Sequence, residues 1–417
     1  MLNRAAAQNQ GSIRSMMPRY SADKLVLGLV ALAVMGYRGA AQGLVEVESA
    51  ALRAAVPGQI VQLPVLLASR TNFPLVPLEI TPAPGPQLLL SDKPETLWSG
   101  DGITLRESVP PGRFRLYLYH VPTPGEALKT ISASIENLGT ESLELRVLRS
   151  ACPSPSGDYH LVGKTGLLQF FQGNAGSNAP ITIAPEHRAL LDPKLDATRV
   201  SRDQLVHAIY EFEINQPARL TVFQRAAEAA SLTTVDHLPL LPQVLPQRPV
   251  GNGAGRGLFP NADFAATNAG GFVYDSTNGP AQLILADPKH ESWLQGRDGI
   301  ENAPSRNVGN YGVLYRVRLK WRSGDRRPLA LLMCKIPSDS RWCGAQAGAI
   351  KVNSGALAGG IVAIPTGKTA FGQPGEAVFL QRFAPAEAGK DDVIEVEYSP
   401  PGASCIPTPM LLVPLRR

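Results

Sequence analysis

Three short stretches carry residues whose types and spacing could do chemistry. In "RNVGNYGVLYRVRLKW" (Arg306–Trp321), Asn310 directly precedes Tyr311. A tyrosine in such a pair can be oxidised in place to a quinone by copper held on histidines, and the quinone then oxidises amines. In "SGDYHLVGK" (Ser156–Lys164), Asp158, Tyr159, His160 and Lys164 gather at a glycine-flanked turn, the polar mixture of a binding loop. In "ADPKHESWLQGRDGIEN" (Ala286–Asn302), His290, Trp293 and Asp298 share a polar loop, and a loop tryptophan offers a flat apolar face on which a sugar ring stacks. Asp158, Tyr159, His160, Trp293 and Tyr311 are therefore the candidate binding residues. No residue is assigned a catalytic role.

The surroundings of each stretch also support a plainer reading. Quinone formation requires Thr-x-x-Asn-Tyr-Asp/Glu, whereas Asn307 and Gly312 stand at the flanking positions here. The six histidines, His120, His160, His187, His207, His237 and His290, include no His-x-His pair to ligate copper from one strand. Asn310-Tyr311 then reads as a turn feeding a buried strand through Val313, Tyr315, Val317 and Leu319, and no cofactor or metal is expected. "GNGAGRG" (Gly251–Gly257) follows prolines rather than a strand, so it reads as linker and not as a dinucleotide loop. "TGKT" (Thr366–Thr369) lacks the first glycine of a phosphate loop, which would fall at Val362. There is no Gly-x-Ser-x-Gly elbow. A carboxylate pair for glycoside cleavage is invisible to spacing, because its members come from different strands.

The elements that must position these residues read mostly as strands. "GRFRLYLYHV" (Gly112–Val121) alternates Phe114, Leu116 and Leu118 with Arg113, Arg115 and Tyr117. "KTISASIENLGTESLELRVLRS" (Lys129–Ser150) reads as two strands joined across Asn137–Thr140. After the proline-rich "LPLLPQVLPQRPVGNGAGRG" (Leu238–Gly257), "GVLYRVRLKW", "RPLALLMCKI", "AVFLQRF" and "DVIEVEYSP" repeat the pattern. Helical signal is scarce, with "FQRAAEAAS" (Phe223–Ser231) the best candidate. The fold expected is all-β: two antiparallel β-sandwich domains, immunoglobulin-like or jelly-roll-like, at 42–235 and 258–417, joined by a linker at 236–257.

Residues 1–41 have the form of a signal peptide: a basic segment ending at Lys24, the apolar run Leu25–Met35, and small residues Gly39 and Ala41 before Gln42. Eleven apolar residues are too few for a bilayer that needs about 20. The chain carries 40 basic and 35 acidic residues. Five of those bases and one acid precede Gln42, leaving 35 and 34, so the mature chain has no field to draw it to nucleic acid. Of four cysteines, Cys334 and Cys343 flank a short loop and are the candidate disulfide pair, with Cys152 and Cys405 remaining.

Several stretches in order, "SIENLGTESLELRVLRSACPSPSGDYHLVGK", "GRGLFPNADF", "GNYGVLYRV" and "YSPPGAS", resemble a group of secreted bacterial proteins labelled "copper amine oxidase-like". The resemblance runs from about Thr81 to the C-terminus. It implies an extracytoplasmic β-protein and carries no catalytic residues. The expected function is that of an exported, non-enzymatic cell-envelope or extracellular protein that binds a glycan or a surface protein, or serves a structural role. A secreted carbohydrate-active hydrolase is the alternative, and a copper-dependent amine oxidase the third reading.

Overall fold

The computed structural model describes residues 48–415, apart from 99, 123–124, 126, 174–178, 230, 245–252, 337–343, 353–359, 386 and 388–389. The expected signal peptide at 1–41, Cys343 and part of the segment 236–257 lie outside the described residues. Strands dominate and form four sheets. A four-stranded sheet holds Gly102–Val109, Ala218–Ala226, Lys129–Asn137 and Arg188–Leu190. An eight-stranded sheet is centred on Gln87–Ser91, Gly112–His120, Val206–Ile214 and Leu143–Ala151. A seven-stranded sheet contains Asp263–Asn268, Leu314–Arg322 and Asp392–Tyr398, and a five-stranded one contains Leu329–Cys334, Glu376–Phe383 and Thr408–Pro414. Most pairings are antiparallel. Gln87–Ser91 runs parallel to Gly112–His120, and Asp263–Asn268 parallel to Leu314–Arg322.

The alternation along Gly112–His120 shows why these segments are strands and what their two faces meet. Phe114, Leu116 and Leu118 bury against Leu105, Leu220 and Val222 of the four-stranded sheet. Tyr117 and Tyr119 point the other way, into a second core with Tyr315, Val317 and Tyr398 of the seven-stranded sheet. Of the residues that alternate with Phe114, Leu116 and Leu118, only Arg113 is exposed, while Arg115 and Tyr117 are buried. The eight-stranded sheet is covered on both faces, and a fully buried leucine in either core contributes about 1.5–3 kcal/mol.

Burying Arg115 requires partners, and the structure supplies them from both halves of the chain. Its Nε donates to Glu211 at 3.0 Å, Nη2 pairs with Asp263 at 2.7 Å, and Nη1 donates to the carbonyls of Ala262 and Gly312. The guanidinium also lies 5.2 Å from the Phe170 ring centroid. Strand pairing likewise runs across the division expected at 236–257. Arg256–Phe259 pairs with Gln87–Ser91, Asp263–Asn268 with Leu78–Pro82, and Ile60–Gln62 with Glu376–Phe383. Glu48–Arg417 is one structural unit.

Two local expectations are corrected. Phe223–Ala226 is not helical but ends the strand Ala218–Ala226, whose Leu220 and Val222 face the core. The long helix is Tyr159–Gln172, in the segment read as a loop. Asp158 caps it by accepting from the Leu161 amide at 3.1 Å, and Gly173 closes it in the left-handed region. Gly163 and Gly166 hid this helix, since each costs about 1 kcal/mol of helical propensity. They are there for close approach: a Cβ at Gly163 would lie 2.6 Å from the Gly402 carbonyl oxygen, and one at Gly166 2.5 Å from His207 Cδ2. Packing, rather than propensity, sets the helix in place. No described helix is long and apolar enough to cross a membrane.

Candidate functional site

At the end of Gln87–Ser91 the chain leaves the sheet through Ser91-Asp92-Lys93-Pro94-Glu95. Its backbone is fixed: the Val121 amide donates to Glu95 O at 2.8 Å, and the Leu97 amide to Val121 O at 3.0 Å. Ser91 and His120 anchor it from beneath. His120 Nδ1 donates to Pro94 O at 2.9 Å, so Nε2 accepts from Ser91 Oγ at 2.7 Å. Burial pushes the His120 imidazole down to about 4, which keeps that tautomer neutral. The arrangement looks like a nucleophile and its base, yet both side chains are fully buried and the third partner is a carbonyl. Ser91–His120 is a brace for the turn above it.

Asp92 and Glu95 are the chemical centre of the region. Asp92 Oδ2 accepts from the Ala254 amide at 2.8 Å, and no protein group reaches its Oδ1. Burial, and then the charge of Glu95, raise the Asp92 carboxyl well above the usual range, while the Ala254 amide partly offsets this. Burial raises Glu95 as well. The segment expected to be linker thus places the amide that holds the acid. A Cβ at Gly253 would lie 1.8 Å from the Asp92 carbonyl oxygen, so only glycine admits this approach.

Several tyrosines lie within electrostatic reach of the acids. Tyr117 and Tyr119, two apart on one strand and so on one face, have ring centroids 6.3 Å apart and nearly parallel planes. Tyr311 lies 6.2 Å from Tyr117. Burial is the main cause that raises the Tyr117, Tyr119, Tyr159 and Tyr311 phenols. Asp92 and Glu95 add to it at Tyr117, Tyr119 and Tyr311, and Glu95 does so at Tyr159. His207 stands opposite Tyr119 in the strand register, with its ring 4.8 Å from that of Tyr117. Its Nδ1 donates to Leu118 O at 2.8 Å, which leaves Nε2 a bare acceptor with no protein partner. Burial lowers His207 to about 4 and keeps it neutral. The Tyr117 hydroxyl is likewise unpartnered. Asp92, Tyr117 and His207 are 5%, 1% and 1% exposed, so these are true interior groups. Glu95, Tyr159 and Tyr311 are half-buried.

Of the residues singled out from sequence, Tyr159 and Tyr311 both feel the charge of Glu95, which adds to the rise of their phenols. Asp158 is a helix cap, and the half-buried His160 stands in the first turn of that helix. Trp293 sits half-buried in a neighbouring loop, tied to this region because the Leu294 amide donates to Asn310 Oδ1 at 2.9 Å. The Asn310-Tyr311 pair is explained by that tie. Asn310 adopts φ +51° and also donates to Glu291 at 3.1 Å and to the Tyr315 hydroxyl at 2.9 Å. Asn307 grips the Tyr311 backbone through both its amide and carbonyl. Among the described residues, no three His, Cys, Asp or Glu side chains gather to hold a metal ion. The pairing of Cys334 with Cys343 is corrected: Cys334 is a free, buried thiol beside Arg70 Nη1 at 3.4 Å, and Cys152 is free too. Cys405 is disulfide-bonded, to a partner outside the described residues.

Comparison with protein-family models and with curated proteins finds no match. The site must therefore speak through its own chemistry. Asp92, Glu95, Tyr117, Tyr119 and His207 were not found from sequence. The signals available were an acid-rich turn directly after the apolar "QLLL" and the Tyr-x-Tyr of "LYLYH".

Proposed function

We propose that the protein is exported and acts outside the cytoplasm as a non-enzymatic glycan-binding protein, with the Asp92–Glu95 pair and its tyrosines as the ligand site. The observation that carries this reading is the set of buried polar atoms without protein partners, Asp92 Oδ1, the Tyr117 hydroxyl and His207 Nε2, in a region whose half-buried residues include Glu95, Tyr159 and Tyr311. Carboxylates and hydroxyls arranged against aromatic faces suit a polyhydroxylated ring, which offers hydroxyl donors at its edge and an apolar C–H face. The signal-like leader, the disulfide at Cys405 and the resemblance to secreted bacterial β-proteins support export. Trp293, tied through Asn310 to Tyr311, extends the aromatic surface.

A glycan array probed with the intact chain tests this. A defined set of bound glycans is expected, with the signal lost in Tyr311→Ala and weakened in Trp293→Ala. Absence of any glycan signal, or a signal that both variants keep, contradicts it. A carbohydrate-active hydrolase remains as a second reading, because two carboxylates in unequal environments are also what acid–base cleavage of a glycosidic bond needs. Release of reducing ends from a bound glycan, abolished in Glu95→Gln, would decide for it.

A further inference from the structure

We infer that Arg106, Arg188 and Arg219, on the outer face of the four-stranded sheet, form a separate ligand site that takes one oxyanion: a carboxylate, sulfate or phosphate group. The site is independent of the Asp92 region and goes beyond the glycan reading. Strand register puts the three arginines on one face. Arg106 is directly opposite Thr221, Arg219 is opposite Ser108 and Glu136, and Glu136 is opposite Arg188. Leu105, Leu220 and Ile135, at the alternate positions, fill the core on the other face. Arg106 and Arg219 are diagonal neighbours across one strand pair, which places them about 7–8 Å apart. Two side chains of that length can meet a single small ion.

Two of the arginines are paired and the third is not. Arg219 Nη1 donates to the Glu136 oxygens at 3.3 and 3.1 Å. Arg188 Nη2 pairs with Glu136 at 3.1 Å and with Asp236 at 2.9 Å. Arg106 is half-buried, and its Nε is enclosed without a partner. Among the described residues, no hydrogen bond or ion pair reaches any nitrogen of its side chain. Every other described arginine that is buried or half-buried has such a partner. Arg322 and Arg382, whose Nε is equally bare, use a terminal nitrogen instead. Three cations against Glu136 and Asp236 leave one positive charge over, on a side chain with five donors and no acceptor. Burial, then the charges of Arg219 and Arg188, lower the Arg106 pKa, while Asp236 and Glu136 oppose them. An oxyanion answers both the charge and the donors, and the planar fork of a guanidinium suits two of its oxygens at once. A metal cation would be repelled.

Calorimetric titration of the intact chain at low ionic strength with sulfate, phosphate and a galacturonate trimer tests the inference. At least one of the three is expected to bind, about tenfold more weakly in Arg106→Gln. Arg113→Gln, which removes the same charge from an exposed arginine on another sheet, is expected to leave the affinity within about twofold. No protein group bonds to the Arg106 side chain, so Arg106→Gln is expected to fold. Arg106→Lys, which keeps the charge without the fork, should lose an intermediate amount. Binding of an inorganic ion supports the site with a free anion as its ligand. Binding of the trimer alone, if Arg106→Gln weakens it, supports the site with an acid borne on a sugar chain. Binding of none of the three, or equal affinities in Arg106→Gln and Arg113→Gln, overturns the inference.

Discussion

Two pairs of acids between the eight- and seven-stranded sheets or at the edge of the former, one fully buried and one with a half-buried member, have opposite surroundings. Glu211 and Asp263 share Arg115, whose remaining donors reach two backbone carbonyls, so all five of its N–H directions meet oxygen or the Phe170 ring. Asp92 and Glu95, a few residues from the other end of that strand pair, share no cation and leave an oxygen unpartnered. The first arrangement is complete within the protein and staples strands from distant parts of the chain. The second is left incomplete by the protein, and the proposed ligand would complete it. A fold that can satisfy one pair so fully, yet leaves the other unbalanced, is the pattern expected when the unbalanced group has a functional role.

Breaking the satisfied pair should have the largest effect. Arg115→Met removes the buried cation the two carboxylates share, leaving Asp263 only the half-exposed Arg316 and Glu211 only Arg149 at 3.6 Å, and is expected to cost about 3 kcal/mol in chemical denaturation. A loss under about 1 kcal/mol would mean that water already reaches the cluster.

Glu107 sharpens the comparison as an intermediate case. Burial raises it from 4.5 to about 7, with Asp298 adding to the rise, while the Gly299 amide, Arg256 and Arg297 oppose it. Between those two values the folded chain holds a proton that the unfolded chain has released, so stability falls as pH rises across that window, by about 3 kcal/mol. Glu107→Gln should flatten this slope in denaturation curves measured at a series of pH values. An unchanged slope would place its origin elsewhere.

Gly166→Ala probes the wall of the unbalanced site, since the new Cβ would lie 2.8 Å from His207 Nε2. A loss of about 1–3 kcal/mol is expected from overpacking, together with weakened ligand binding. The smallest stability change is expected at the unbalanced acid itself. Asp92→Asn keeps an oxygen for the Ala254 amide and removes an acid whose charged form burial disfavours, so stability should rise by about 1 kcal/mol at pH values high enough to ionise the original carboxyl. Destabilisation by that substitution would show that the carboxylate serves the fold.

The strands were legible because the alternation of Phe114, Leu116 and Leu118 has only one physical meaning. The covering of the opposite face was not, because Arg115 looks like a solvent residue until Asp263 arrives from a separate strand 148 positions away. The helix Tyr159–Gln172 was missed because Gly163 and Gly166 serve contacts with Gly402 and His207, which propensity cannot see. Tyr159 and Tyr311 were visible as candidates, but for other reasons: one as a loop residue, the other through its asparagine. Asp92 was invisible because what sets it apart is the Ala254 amide, 162 residues on, in a segment that reads as linker.

The most direct test of the central claim is infrared difference spectroscopy of the unliganded protein against Asp92→Asn over a series of pH values. The account predicts a protonated-carboxyl stretch that the variant lacks and that persists to pH values above the usual carboxylate range. A stretch lost within the ordinary carboxylate range would contradict it.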